Sequence, residues 1–95
     1  MRTVIFSAKD KAVHVSIDGE DYGYAFWDWQ LCELLIEADV QRSDEFYNSS
    51  SMDFGMEAGF YGDNHAHEMV ESALQVMFFT GKPQTNNLVN NEKNA

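Results

Sequence analysis

The sequence predicts an α+β fold in the order β-β-β-α-β-α: a three- or four-stranded antiparallel sheet with two helices packed on one face. Three short segments within residues 3–26 are rich in β-forming residues and are separated by turn signals. Two later segments, roughly 28–41 and 65–80, repeat apolar residues at helical spacing. A chain of 95 residues suits one domain with one modest core.

The first three strands are predicted to form an antiparallel meander. Residues 3–7 are β formers, and residues 13–17 alternate apolar and polar side chains. Asp18-Gly19 is a strong hairpin signal because both residues tolerate positive φ. In the third strand, 20–26, small residues alternate with aromatic ones, so its small-residue face can lie close under a helix or leave the backbone open to a partner. The aromatic face carries Tyr22, Tyr24 and Phe26.

The first helix is predicted over Asp28–Gln41, with Asp28 as its N-terminal cap. Two apolar stripes follow helical spacing and leave only a narrow polar stripe. More than half of the helix circumference must therefore be covered by other parts of the protein or by a partner. The second helix supplies part of that cover, and a partner chain is a candidate for the rest. The stripes are Trp27, Leu31, Leu34, Leu35 and Ala38, and Trp29, Cys32, Ile36 and Val40.

The remaining elements follow a polar connection over residues 42–51. Residues 52–61 alternate apolar and polar side chains, which predicts the fourth strand. The second helix is predicted from about His65 to Thr80, before a Gly-Lys-Pro stop signal. We therefore expect residues 1–83 to form a single acidic domain and residues 84–95 to be a disordered, Asn-rich tail.

Charge is the strongest compositional signal for function. The net charge is −10, and the stretch Asp18–Glu71 contains fourteen acids but only one base, Arg42. Such a field repels nucleic acid and anionic membranes and attracts basic proteins. Solubility alone is the alternative explanation, since this charge is only slightly larger than is usual for a small domain.

No catalytic or cofactor motif is present, including the phosphate loop, the nucleophile elbow and the dinucleotide fingerprint. His65 and His67 stand at i, i+2 and point apart on a helix, whereas a helical zinc pair needs i, i+4. A metal site there would need a third ligand, such as His14 or Asp53. We therefore expect no metal, no cofactor and no enzymatic activity.

Cys32 is the one cysteine, and its place on an apolar stripe indicates a buried, inert thiol. One cysteine allows no disulfide within the chain, and the N-terminal segment lacks the long apolar run of a signal peptide. A cytoplasmic location is the simplest expectation.

Residues 18–30, DGEDYGYAFWDWQ, place four acids beside five aromatic rings. These rings cannot all be buried in a domain of this size, so some are expected to be exposed beside carboxylates. Arginine stacks on rings and pairs with carboxylates, so such a surface suits a basic protein. The alternative is that the rings are core and the acids solvate a hairpin. The candidate partner-binding residues are Asp18, Glu20, Asp21, Tyr22, Tyr24, Asp28, Glu33 and Glu37.

The functional prediction is a small acidic inhibitor or interaction module for a basic, nucleic-acid-binding protein such as a nuclease. By size and charge alone it is similar to phage or mobile-element inhibitors of the anti-restriction and anti-CRISPR kinds, to toxin-immunity proteins and to DNA mimics. One alternative is a small metal-binding protein or enzyme that uses His65, His67 and nearby acids. Another is a homodimeric structural domain in which the first helix forms the dimer interface.

Overall fold

A computed structural model describes residues 1–54 and 65–78. The predicted tail, 84–95, lies outside the described residues, so its disorder stays a prediction. The described chain forms four strands, two α-helices and one 3₁₀ helix. They are β1 Thr3–Lys9, β2 Ala12–Ile17, β3 Glu20–Ala25, α1 Asp28–Glu37, β4 Glu45–Asn48, the 3₁₀ helix Ser50–Phe54 and α2 His65–Phe78.

The sheet has the strand order β3-β2-β1-β4. β1 pairs antiparallel with β2, and β2 pairs antiparallel with β3, so the predicted meander is confirmed. The element order β-β-β-α-β-α is also confirmed. β4 lies beside β1 and runs parallel to it, which makes the sheet mixed, although mostly antiparallel. β3 is therefore one edge of the sheet, and α1 packs on it.

Two tight turns set the register of the meander. Asp10 and Lys11 join β1 to β2 with φ of +52° and +64°, and Asp18 and Gly19 join β2 to β3 with φ of +51° and +86°. Successive positive φ values match the twist of antiparallel strands. The Asp18 carboxylate also accepts a hydrogen bond from the backbone N–H of Thr3 at 2.9 Å, which ties the turn to β1.

The fourth strand was predicted in the wrong place. β4 occupies Glu45–Asn48, within the predicted polar connection, while Met52 lies in the 3₁₀ helix. Phe46 and Tyr47 are both buried although they are consecutive, so β4 shows no alternation that sequence periodicity can detect. Met52 is buried, and residues 55–61 of the predicted strand lie outside the described residues.

The described residues form one hydrophobic core between the sheet and the helices. β1 and β2 contribute alternate residues, and both helices contribute apolar stripes. α1 packs on β3 and α2, and α2 also contacts β2. The largest fully buried side chains are Phe6, Leu31, Leu35, Met52, Met69, Leu74, Val4, Val13, Val15 and Val70.

α1 begins at Asp28 as predicted, but its N-cap and its end differ from the prediction. Trp27 is the N-cap, and the Gln30 side chain accepts from the Phe26 and Trp27 amides at 2.9 and 3.2 Å. Asp28 is the first helical residue, and it accepts from the Trp29 amide at 2.9 Å. The helix stops at Glu37, four residues short of the predicted Gln41. Asp39 then adopts φ +57°, a left-handed helix terminator.

Asp44 anchors the N-terminus in a way that no sequence pattern indicated. It is almost fully buried, and its carboxylate accepts from the Arg2 and Gln41 amides at 3.0 and 2.8 Å. The Arg2 guanidinium lies 3.6 Å from this carboxylate and donates to the carbonyls of Ala38 and Asp39. Burial alone raises the pKa of Asp44, but these amides and the Arg2 charge outweigh it, so the pKa lies below its usual value.

Candidate protein-binding surface

Most of the large exposed apolar side chains come from one stretch of the sequence, which contains β3 and α1. Within the described residues there are eight, and six of them lie between residues 22 and 36. Clusters of this kind on a small domain indicate an interaction site more often than isolated exposed residues do. The eight are Met1, Tyr22, Tyr24, Phe26, Trp27, Trp29, Ile36 and Val76.

A β-bulge in β3 decides which of its side chains face α1. Asp21 pairs with Ser16 and Gly23 pairs with Val15, which leaves Tyr22 as the extra residue. The Asp21 carboxylate accepts from the Gly23 N–H at 3.0 Å and stabilises the bulge. Gly23 is thereby placed over the core.

Gly23 brings α1 close to the edge of the sheet. A Cβ atom at this position would lie 3.1 Å from Cδ1 of Leu34, and Gly23 has φ +126°, which L side chains rarely adopt. The predicted close approach of a helix over the small-residue face of this strand is therefore observed.

A row of three rings continues across the outer face of the sheet. Tyr24 stands opposite His14 on β2, with ring centroids 5.3 Å apart and planes inclined by 30°. Phe26 meets Tyr24 edge to face at 5.4 Å. The Tyr24 side chain is 56% exposed, so the rings support one another while their outer faces contact solvent.

The rings of β3 and the carboxylates of α1 line one depression of about 510 Å³, here called the aromatic–acidic groove. Glu33 and Glu37 stand at i, i+4 on its helical side, and both are exposed. No Lys or Arg is among its described lining residues. These are Tyr22, Gly23, Tyr24, Phe26, Gln30, Glu33, Leu34 and Glu37.

Four of the eight sequence-predicted site residues meet in this groove, namely Tyr22, Tyr24, Glu33 and Glu37. All eight are exposed. Asp28 faces α2, where it accepts from the Ser72 hydroxyl at 3.0 Å. The remaining three, Asp18, Glu20 and Asp21, belong to the β2–β3 hairpin and its bulge, so the structure does not bring all eight together.

Phe26 belongs to the groove but was not among the predicted site residues. It continues the alternation of Tyr22 and Tyr24, and that pattern was the available signal. Gln30 and Leu34 were missed as well, because their positions depend on how α1 packs against β3.

The predicted second stripe of α1 is mostly exposed. Val40 is buried, but Trp29 is 58% and Ile36 is 62% exposed. They line a groove of about 330 Å³ between α1 and α2, here called the α1–α2 groove, with Cys32 partly buried in it. Burial, together with the charges of Asp28 and Glu33, raises the pKa of the Cys32 thiol, which favours its unreactive protonated form.

Of the predicted histidine cluster, His65 and His67, the structure describes only the His67 side chain. The His67 ring lies 3.6 Å from the Asp53 carboxylate and 3.5 Å from the Asn48 amide. Within residues 1–54 and 65–78, no three potential ligands come together to hold a metal. The side chain of His65 lies outside what the structure describes, so the absence of a bound metal stays a prediction.

Known proteins give no direct guide to this surface, since the sequence matches no family model, no curated protein and no solved structure. Neither described helix has the length and apolar character that crossing a membrane requires. An assignment therefore depends on the chemistry of the two grooves.

Proposed function

We propose that this protein is a small acidic inhibitor or interaction module, rather than an enzyme, and that it binds a basic, nucleic-acid-binding protein such as a nuclease. The aromatic–acidic groove is the main contact surface. The observation that supports this is the combination, in one groove, of exposed Tyr22, Tyr24 and Phe26 with Glu33 and Glu37. We place the activity in the cytoplasm and assign it no cofactor.

The chemistry of the groove suits arginine better than any other side chain. A guanidinium stacks on the face of a tyrosine ring and pairs with a carboxylate at the same time. In a shallow groove both interactions are partly desolvated, which strengthens them relative to open solvent. Arginine-rich surfaces are how proteins hold phosphate backbones, so carboxylates placed on such a surface compete with nucleic acid.

The net charge of −10 also favours binding to a basic partner, and it acts at longer range than the groove. It accelerates encounter with a positively charged partner and disfavours neutral or acidic ones. Because exposed charges are screened within about 8–10 Å near physiological ionic strength, association is expected to slow steeply as salt rises.

The test is affinity capture from cells that carry the gene, followed by identification of the partner and competition with nucleic acid. The expected partner is an Arg- and Lys-rich nucleic-acid-binding protein that DNA or RNA displaces from the captured complex. Glu37→Lys is expected to slow association about threefold or more, whereas Tyr24→Ala is expected to speed dissociation by about tenfold.

Glu71→Lys is the matched control, since it changes the net charge equally but lies on the exposed side of α2, outside both grooves. It is expected to have a smaller effect than Glu37→Lys. If the two charge reversals slow association equally, the net charge of the protein, and not the groove, determines the association rate. Direct binding of the free protein to DNA or RNA at physiological salt would refute the proposal.

A further inference from the structure

The α1–α2 groove is a second apolar surface that the fold leaves uncovered among the described residues. Its floor is formed by Cys32 and the buried Ala73. Its walls are Trp29, Ile36 and Val76, which are 58%, 62% and 69% exposed. The α1 residues stand at i, i+3 and i+7, so they form one continuous stripe. Three large apolar side chains therefore converge where two helices meet.

Carboxylates surround this apolar stripe. Asp28 and Glu33 line the groove itself. An adjoining depression, which shares Asp28 and Ser72 with the groove, adds Glu68 and Met69. No Lys or Arg is among the described residues that line either depression. One end of the combined groove is thus acidic, and the other end, at Ile36 and Val76, is apolar.

We infer that the α1–α2 groove binds a basic amphipathic helix of the partner. Its apolar face covers Trp29, Ile36 and Val76, and its Lys or Arg side chains reach the carboxylates of Asp28, Glu33 and Glu68. A helix fits because the side-chain ridges of a third helix pack into the groove between two others. The inference rests on the proposed function only in that the partner is a basic protein.

Charge complementarity selects this occupant over a second copy of the chain. A symmetric dimer through the groove would set the acidic end of one copy against the apolar end of the other, so the carboxylates of Asp28 and Glu33 would be covered with no Lys or Arg among the described lining residues to pair with them. It would also bring together two molecules that each carry a net charge of −10. A basic amphipathic helix instead pairs the carboxylates with ammonium or guanidinium groups and covers the apolar end, at Ile36 and Val76, with its apolar face.

The experiment uses the full chain with Trp27→Phe, so that Trp29 is the only tryptophan and reports on the groove through its fluorescence. The probe is a synthetic peptide of about 18 residues, long enough to form a helix, with leucines on one helical face and lysines on the other. One control peptide replaces every lysine by glutamate. A second control keeps the leucine–lysine composition but scrambles the order, so that no apolar face forms.

The amphipathic lysine peptide is expected to shift Trp29 emission to shorter wavelength and to saturate, whereas neither control peptide does so. Ile36→Ser and Val76→Ser are expected to weaken its binding about tenfold or more, since both side chains lie in the contact. Tyr24→Ser, in the aromatic–acidic groove, is the matched control and is expected to change this affinity by less than about twofold.

Four results would overturn the inference. The first is that the scrambled peptide binds as tightly as the amphipathic one, and the second is that both serine variants bind the peptide like the parent chain. The third is that Trp29 of the free chain is already shielded from a neutral quencher, which would mean that another segment covers the groove. The fourth is that sedimentation shows a dimer that Ile36→Ser dissociates, which would assign the groove to a second copy.

The same variants separate this inference from the proposed function. If Tyr24→Ala and Glu37→Lys leave partner capture unchanged while Ile36→Ser abolishes peptide binding, the aromatic–acidic groove loses its role and the helix site remains. If the Tyr24 and Glu37 variants lose the partner while the serine variants bind the peptide normally, only the helix site is refuted.

Discussion

Gly23 gives the most direct test of how β3 is held against α1. Replacing it with Ala adds one methyl group at φ +126°, 3.1 Å from Cδ1 of Leu34. The strained backbone costs about 1–3 kcal/mol in the free energy of unfolding. The methyl group also displaces the flexible end of a partly buried side chain, which adds about 1 kcal/mol. The expected total is about 2–4 kcal/mol.

Gly19 supplies the control, because it too has positive φ, +86°, but nothing lies within 4 Å of its Cβ position. Urea unfolding of Gly23→Ala, Gly19→Ala, Leu34→Ala and the Gly23→Ala/Leu34→Ala double variant separates the two costs. Gly23→Ala is expected to be the more destabilising glycine variant, and the double variant is expected to be more stable than additivity predicts. Equal costs at the two glycines, together with strict additivity, would show that Leu34 does not determine the spacing.

Three further stability predictions follow from the core, the end of α1 and the N-terminal anchor. Leu35→Ala is expected to cost about 2–5 kcal/mol because Leu35 is fully buried, and Leu34→Ala less because Leu34 is partly exposed; chemical unfolding measures both. Asp39→Gly is expected to raise the melting temperature through a gain of about 1 kcal/mol, since it removes left-handed strain and a negative charge from a helix C-terminus. Asp44 has a lowered pKa, so its contribution is complete above about pH 4 and is lost as the pH falls through the lowered pKa. Asp44→Asn should therefore be less stable than the parent chain at pH 7, and the gap should narrow in acid unfolding experiments.

The parts of the fold that depend on local signals could be predicted from the sequence. Asp18-Gly19 specifies its hairpin by backbone chemistry alone, and the alternation around it fixes three strands. β4 could not be predicted, because a four-residue parallel strand with both faces covered has no periodicity of its own. Its position is decided by pairing with β1, and by Asp44, which hydrogen-bonds to Arg2 far away in the sequence.

The candidate site was predictable in composition but not in geometry. The sequence indicated that some rings of residues 18–30 must be exposed beside acids, and Tyr22 and Tyr24 are exposed. It could not distinguish Trp29 and Ile36, which are exposed, from Val40 on the same stripe, which is buried. That difference in exposure depends on where α1 ends and on how α2 packs across it, and neither can be read from the neighbouring sequence.

Several local features of this surface work against the stability of the free protein. Glu33 and Glu37 repel each other at i, i+4. The last turn of α1 has no basic residue, and Asp39 follows it in a left-handed conformation. Each feature opposes the usual preferences of a helix by a few tenths of a kcal/mol to about 1 kcal/mol. Neutral or basic side chains at these exposed positions would stabilise α1, so folding alone does not explain the acids.

Conflicts between local preference and structure are expected where a surface is shaped for binding. Here Glu33 and Glu37 lie on α1, the helix that the aromatic–acidic groove and the α1–α2 groove share, and their repulsion supports the binding role that we propose.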